Sequence, residues 1–520
     1  IWVREKVVAH IVSSTANTGA GSLREAVANA NNGDWIVFEF PADAYPATIT
    51  LDSGIEVSKN LRISGPRPGQ LTISSNDGGG FSLFTVVGEA VLTIEQLTLA
   101  NGYSPDFGGA VSVNTGSGLI ARYCHFDNNS ADQFGGAIDV FEGSLEVEAC
   151  LFTNNSVTGS IAVAGGAIAT YTIEPCSIIN STFVGNSQQN DGGLGGGAIC
   201  ADNALLSNTT EMQILHCSFK DNFDAAEQGS SILSNREGMK VRVGNSIFED
   251  TQGRVLNVRG NGAIDSLGGN VATDRTVTTY VQDLPEGVVL LDQSSDKLSA
   301  PARLAGLSDN GGPTNTCALL PGSAALDHAV DLETPLLVDQ RGALRAGISN
   351  DSGALEMRTA LSFTEIFTGT PDDNYIDAFI TLTNSPEAAD YDLSGHKVYF
   401  DGVLAYTFAG SLTLMAGDSY KLFDSGRLGA LPADSAKWSE GIRLNAEFAE
   451  ITLRDGSGNL VQRVLGSGEN NAPGSAEVTS IQRLNISEIF VGTSPTDTDG
   501  FIEFYTPREA TTFDLEGLRV

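Results

Sequence analysis

The sequence predicts an all-β protein: a right-handed parallel β-helix followed by β-sandwich modules. Three observations carry that prediction. One apolar pattern recurs about every 26 to 36 residues, an Asn and a Gly-Gly pair recur in step with it, and beyond residue 361 a second, different pattern occurs twice. A chain of 520 residues and 54.4 kDa exceeds what one hydrophobic core usually organises, so a repeat array or several domains are expected.

The repeat reads apolar-x-apolar-x-x-small-x-aromatic. Its copies are Leu92, Ile94, Leu97, Leu99; Leu119, Ala121, Cys124, Phe126; Leu145, Val147, Cys150, Phe152; Cys176, Ile178, Ser181, Phe183; Met212, Ile214, Cys217, Phe219; and Val241, Val243, Ser246, Phe248. Alternation with period two on either side of a one-residue phase shift describes two short strands joined by a bend. Asn129, Asn155, Asn186 and Asn222 each follow an aromatic by three residues. Later in each period come Gly108-Gly-Ala-Val111, Gly135-Gly-Ala-Ile138, Gly165-Gly-Ala-Ile168 and, within a Gly-rich run, Gly196 to Ile199, decaying to Gly229-Ser-Ser-Ile232. Three strands per period, divided by Asn and Gly corners, are one coil of a parallel β-helix. Equivalent residues then stack at about 4.8 Å, which predicts an internal Phe ladder and an Asn ladder, with glycine at corners that need positive φ.

Upstream, Leu23, Ala26, Val27 and Ala30 share one helical face, Ser22 and Glu25 form a capping box, and Gly33 is a stop signal. A short amphipathic helix here covers the open first coil, ahead of strands around residues 36–40 and 55–63. The Phe-x-x-Asn and Gly-Gly-Ala-Ile motifs resemble the repeats of polymorphic outer-membrane proteins, over residues 90–235. Gly21-Ser-Leu-Arg-Glu-Ala26 resembles the N-terminal motif of CSLREA-type bacterial surface proteins, with Gly21 in place of the leading Cys. Leu267-Gly-Gly-Asn270, Asp309-Asn-Gly-Gly-Pro-Thr314, Leu320-Pro-Gly-Ser323, Asp339-Gln-Arg-Gly342 and Gly353-Ala-Leu-Glu356 resemble the closing region of the choice-of-anchor Q group of secreted β-helix proteins. Residues 1–357 are therefore expected to form one solenoid of about a dozen coils with both ends capped.

In the C-terminal part, Phe363-Thr-Glu-Ile-Phe-Thr-Gly-Thr370 matches Ile486-Ser-Glu-Ile-Phe-Val-Gly-Thr493, Asp377-Ala-Phe-Ile380 matches Glu503-Phe-Tyr505, and Asp392-Leu-Ser-Gly395 matches Asp514-Leu-Glu-Gly517. This pattern resembles the lamin-tail domain, which implies an immunoglobulin-like sandwich over 361–466, a linker over 467–480 and part of a second module over 481–520. For the second module to be stable, either the chain continues or another subunit supplies strands. One such source is the strand-like segment Ile1-Trp-Val-Arg-Glu-Lys-Val-Val-Ala-His-Ile-Val12, donated to a neighbour in a head-to-tail filament. The alternative is that it forms the first strand of its own coil.

Composition narrows function. Hydrophobic residues at 41% and charged residues at 18% describe a folded chain, and a formal charge of −35 repels nucleic acid and anionic membrane. No stretch reaches the roughly 18 to 20 apolar residues of a membrane helix, so no membrane insertion is expected of this chain. It opens at Ile1 with neither Met nor signal peptide, the pattern of a mature or trimmed product. The acidity, the Gly, Asn, Ser and Thr richness and the scarcity of Lys point to an extracellular or cell-surface protein. The six Cys make no Cys-x-x-Cys pair; Cys124 and Cys150 share a coil position, open to a disulfide or to a ladder of small buried residues that includes Ser181 and Ser246.

Enzymatic β-helices that cleave acidic polysaccharides need clustered carboxylates with Arg or Lys on one face. Asp127, Asp132, Asp139, Asp191, Asp202 and Asp221 are isolated and read as corner residues, and Lys220 and Arg122 do not recur at one coil position. His10, His125, His216, His328 and His396 read as surface or corner residues. Asn128, Asn154, Asn180 and Asn208 satisfy Asn-x-Ser/Thr, which a corner-Asn repeat produces by composition. The candidate metal ligands are oxygen-rich loops of the two modules, Asp372 and Asp373 beside Glu365, and Asp497 and Asp499 beside Glu488, suited to structural calcium or to simple solvated turns. The expected function is a non-catalytic surface structural protein, self-associating head to tail. The alternatives are an adhesin for glycan or host surface, and a polysaccharide lyase or hydrolase. An exposed aromatic stripe would favour glycan; the repeated Phe read as inward.

Overall fold

The computed structural model describes residues 8–505 apart from 77–78, 161–162, 205–208, 251–253, 275–287, 321, 334–335, 344, 346–349, 357–360, 368–377, 385–390, 416, 428–430, 433, 440–441, 443, 445–449, 455, 457–459, 466–478, 481–484 and 491–500. The chain divides into two compact units, Ile1–Met357 and Arg358–Val520.

The first unit is a parallel β-solenoid of about 10 turns. Its first sheet has ten strands, from Ala9–Val12 to Ala263–Gly268. The second has ten, from Ala47–Leu51 to Lys297–Leu298, and the third has eight, from Ile55–Val57 to Leu256–Arg259. A fourth sheet of two-residue strands runs from Tyr103–Ser104 to Phe223–Asp224, a strand more per coil than the repeat predicts. Two residues are too short to show a period of two.

The inward ladders form as expected. Phe126, Phe152, Phe183, Phe219 and Phe248 stack with centroids 4.7, 4.6, 4.8 and 5.0 Å apart, all fully buried. In the Asn ladder each Nδ2 donates to the next Oδ1, at 3.0 Å from Asn129 to Asn155, 2.9 Å from Asn155 to Asn186 and 3.0 Å from Asn186 to Asn222. The ladder ends on Asp250, whose carboxylate accepts from Asn222 and from the hydroxyls of Ser230 and Ser231. A second polar ladder runs Cys217, Ser246, Asn270 and ends on Asp296. Each rung donates forward and accepts from behind, so an acceptor-only carboxylate is a chemically complete terminus. The six cysteines are free and buried, so Cys124 and Cys150 belong to the ladder of small residues.

Two left-handed corners recur in each coil. Tyr123, Ala149, Asn180, His216 and Asn245 precede the second sheet, and Asn101, Asn128, Asn154, Gly185 and Asp221 follow it. In the Gly-Gly pairs that begin at Gly108, Gly135, Gly165 and Gly196 only the first residue has positive φ, as at Gly135 (61°). The second is required by space, since a Cβ on Gly136 would lie 2.1 Å from the carbonyl of Gly166.

The helix Leu23–Asn29 caps the first coil and buries Leu23, Ala26 and Val27. Ser22 Oγ accepts from Glu25 N, while Glu25 reaches Gly21 N instead of closing the box on Ser22. The helix stops at Ala30 rather than Gly33, where Lys59 Nζ takes the carbonyls of Val27, Ala28 and Ala30. Ala9–Val12 pairs in parallel with Trp35–Phe38 and Val12 is fully buried, so these four residues build their own first coil; residues 1–7 lie outside the described residues.

The chain leaves the coil path after Lys297–Leu298, so the expected dozen coils and terminal cap are corrected. The described residues between 299 and 356 return along the outside of the second sheet as a strap. The hairpin Leu304–Ser308 and Thr316–Leu319 packs Leu304, Cys317 and Leu319 on Ile247 and Val271. Further back, Gln340 bonds Thr182 and the Cys150 carbonyl, and Arg67 donates to the Gly312 carbonyl at 3.0 Å. Buried Arg345 locks this segment: it pairs with Glu356 (3.3 Å) and donates to Asn180 Oδ1 (2.8 Å) and the Gly353 carbonyl (2.8 Å). Outward Ile247, Val271 and Thr182 need such a cover, because otherwise they would expose apolar surface on the sheet.

In the second unit, a five-stranded sheet containing Leu361–Phe367, Phe379–Asn384 and Ser419–Phe423 and a four-stranded sheet containing Lys397–Phe400 and Glu450–Arg454 share one core around Phe363, Ile380, Phe400, Trp438 and Ile451. The duplication read from sequence reappears in the backbone. Leu361–Phe367 pairs with Phe379–Asn384 with a register shift between Phe363 and Glu365, and Asn485–Phe490 pairs with Phe501–Tyr505 with one between Ile486 and Glu488.

Candidate functional site on the third sheet

Side chains on a strand alternate between core and exterior. On the third sheet Val111, Ile138, Ile168 and Ile199 point inward, and the next residues, Ser112, Asp139, Ala169 and Cys200, form an outward ladder. These are small because the Gly-Gly corner folds back over them: a Cβ on Gly165 would meet Ala169 Cβ at 3.0 Å. Two residues further along, the outward ladder is Phe141, Tyr171, Asp202 and Asn235.

Four aromatics flank this surface. Phe107 and Phe134 immediately precede Gly-Gly pairs and stack with centroids 5.9 Å apart; Phe141 and Tyr171 stack at 5.3 Å. Phe107 is 39% and Phe141 46% exposed, an expensive display for large apolar rings unless something covers them. Beyond Tyr171 the surface turns polar. The Arg236 guanidinium lies 5.0 Å from the Tyr171 ring centroid and its Nε 3.3 Å from Asp202 Oδ1, and Asn235 Nδ2 donates to Asp202 Oδ2 at 2.9 Å. Burial pushes the Asp202 carboxyl up to about 6, against the opposing pull of Arg236 and Asn235.

Asp139 and Asp202 are thus strand residues, not corner residues as the sequence implied. Asp139 is 7% exposed, its carboxyl has no hydrogen-bond partner among the described residues, and burial pushes it up to about 8. Asp221 does occupy a corner (φ 53°), and Asp127 accepts from Thr153 Oγ1 at 2.6 Å beside His125. Two histidines are buried rather than superficial. His216 Nε2 meets Asn245 Nδ2 at 3.0 Å beneath the strap, and burial together with Arg345 pushes its pKa well below the ordinary value; His396 meets the Tyr391 hydroxyl at 3.2 Å.

Of the calcium candidates, Asp372, Asp373, Asp497 and Asp499 lie outside the described residues. Glu365 and Glu488 occupy matching positions after the register shifts of the two hairpins, opposite Thr381 and Glu503. Among the described residues no three His, Cys, Asp or Glu side chains gather as a metal site. Elsewhere, a cleft of about 200 Å³ lies where the strap meets the second sheet, lined by Arg67, Gln70, His125, Thr314 and Asn315 among others.

The aromatic surface was missed because the expectation looked only at the strongest repeat. Phe107-Gly-Gly-Ala110 and Phe134-Gly-Gly-Ala137 carried the signal: an aromatic repeated directly before a corner that must fold outward. Compared with models of protein families, with curated proteins and with solved structures, the chain finds no match in any of the three.

Proposed function

We propose that this is a non-catalytic extracellular or cell-surface protein whose solenoid holds glycan on the outer face of the third sheet. The observation that carries the reading is the exposed Phe141–Tyr171 stack running into Asp202, Asn235 and Arg236. Flat rings receive the C–H faces of pyranose rings, and the half-exposed Arg236 guanidinium, held in place by buried Asp202 and Asn235, bonds hydroxyls and fixes orientation. Nucleic acid would also stack, but a formal charge of −35 opposes it.

The secreted character rests on composition and on the resemblance to surface β-helix proteins. The second unit, read as a lamin-tail-like sandwich over 361–466 with part of another over 481–520, is then a module that presents or links the solenoid. A glycan microarray probed with the full chain tests the reading: binding to neutral glycans, lost in Phe141→Ala, is expected. An array without neutral-glycan binding, or unchanged binding by the variant, overturns it.

A further inference from the structure

We infer that Asp139 selects the ligand of this surface: its buried, unpartnered carboxyl, on the outward face two residues from Phe141, donates its proton to an oxygen of an uncharged sugar lying on the Phe141 and Tyr171 rings. This rests on the glycan reading and assigns its substrate class.

The geometry argues for it directly. The Asp139 carboxyl has no hydrogen-bond partner among the described residues, and its oxygens are not fully closed off from the outer face, so water or a ligand oxygen completes it there. Asp139 is more than nine-tenths buried between Ser112 and Ala169 of the neighbouring coils, under corners whose close-packed glycines, Gly108 and Gly135, offer it no side chain. What the protein withholds, a bound hydroxyl can supply.

The charged and titratable groups on the surrounding elements are engaged elsewhere. Asp106 accepts from Gln133 and Asp132 from Tyr103 in the corner loops; Glu142 at the strand end accepts from Thr115, and Asp202 is held by Arg236 and Asn235. Cys200, on the same ladder, is a buried neutral thiol. None of them moves the Asp139 proton, since burial is the one cause acting on it. At neutral pH the group is therefore a carboxylic acid, able to donate and to accept, and suited to a hydroxyl or a ring oxygen. A uronate or sialate would bring a negative charge among Asp106, Asp132 and Asp202, so the class is neutral hexose and N-acetylhexosamine glycans.

Above pH about 8 the donor is lost, and affinity should fall by up to tenfold per pH unit, about a hundredfold by pH 10. The experiment is titration calorimetry of the full chain at pH 7 and pH 10 with neutral xylo-, cello-, manno- and chito-hexaoses, and hexagalacturonate as the acidic probe. The wild type is expected to bind a neutral hexaose at pH 7 and to lose most affinity at pH 10. Asp139→Asn, still an uncharged donor, should bind at both pH values, and Asp139→Ala should bind at least tenfold more weakly at pH 7.

An Asn variant that declines with pH as the wild type does, or tighter binding of hexagalacturonate than of every neutral sugar, overturns the inference and leaves the glycan reading standing. No binding by any neutral hexaose, or full binding by Phe141→Ala, overturns both. A ligand-free check is infrared difference spectroscopy between the wild type and Asp139→Asn: a protonated carboxyl persisting at pH 7 is expected, and ordinary titration near pH 4 refutes the assignment.

Discussion

Replacing Asn155 with alanine breaks the middle of the Asn ladder. The side chain is fully buried, donates from Nδ2 to the Phe126 carbonyl (3.0 Å) and to Asn186 Oδ1 (2.9 Å), and accepts on Oδ1 from both Asn129 N and Asn129 Nδ2 (3.0 Å each). Two Asn129 donors are then left facing a dry cavity at about 1 to 3 kcal/mol each, and two donated bonds worth about 1 kcal/mol apiece disappear. Coil pairs with coil, so the loss cannot be relieved by moving one loop. The expected cost is about 4 to 8 kcal/mol.

Urea unfolding of the full chain, followed by far-UV circular dichroism, reads it directly, at an unchanged m value. Asn128 serves as the control: it sits one residue before the ladder in a left-handed corner and its exposed side chain donates to Asn101 Oδ1, so Asn128→Ala should cost about 1 kcal/mol. A loss below about 1 kcal/mol in Asn155→Ala, or equal losses in the two variants, would refute the claim that the amide ladder is a principal support of the coils.

Phe152→Ala removes a ring stacked on both sides and should cost about 3 to 5 kcal/mol in the same melt. Arg345→Met leaves the Glu356 carboxyl and Asn180 without their buried partner, at about 3 to 5 kcal/mol, and limited proteolysis should cut within residues 299–356 while the coils resist. The Asp139 carboxyl, raised from 3.8 to about 8, binds a proton more tightly in the folded than in the unfolded chain. Its contribution is therefore intact below pH 3.8 and is lost as pH rises towards 8, by about 1.4 kcal/mol per unit. Melts across that window should show Asp139→Asn gaining on the wild type as pH rises, and parallel curves would contradict it.

The solenoid was legible because each coil writes the same residues at the same places: Phe126 to Phe248 and Asn129 to Asn222 stack in space as they repeat in sequence. The strap was legible only as motifs. Arg345 meets Asn180 and Gln340 meets Thr182 across more than a hundred residues, and such contacts leave no period, so a lateral clasp was read as a terminal cap. The Asp139 environment was illegible for a related reason. An Asp among turn residues looks like a turn residue until the glycine corner is seen to fold over the strand and bury it. In the second unit the duplicated hairpins were readable because Glu365 and Glu488 sit at the same step of the same register shift.

The most direct test of the glycan face is the ratio of dissociation constants of Phe141→Ala and the wild type for one neutral hexaose at pH 7. Removing an exposed ring that stacks on Tyr171 leaves the coil ladders intact, so a weakening of at least tenfold, about 1.4 kcal/mol, with an unchanged melt is expected. Equal constants for the two proteins would contradict it.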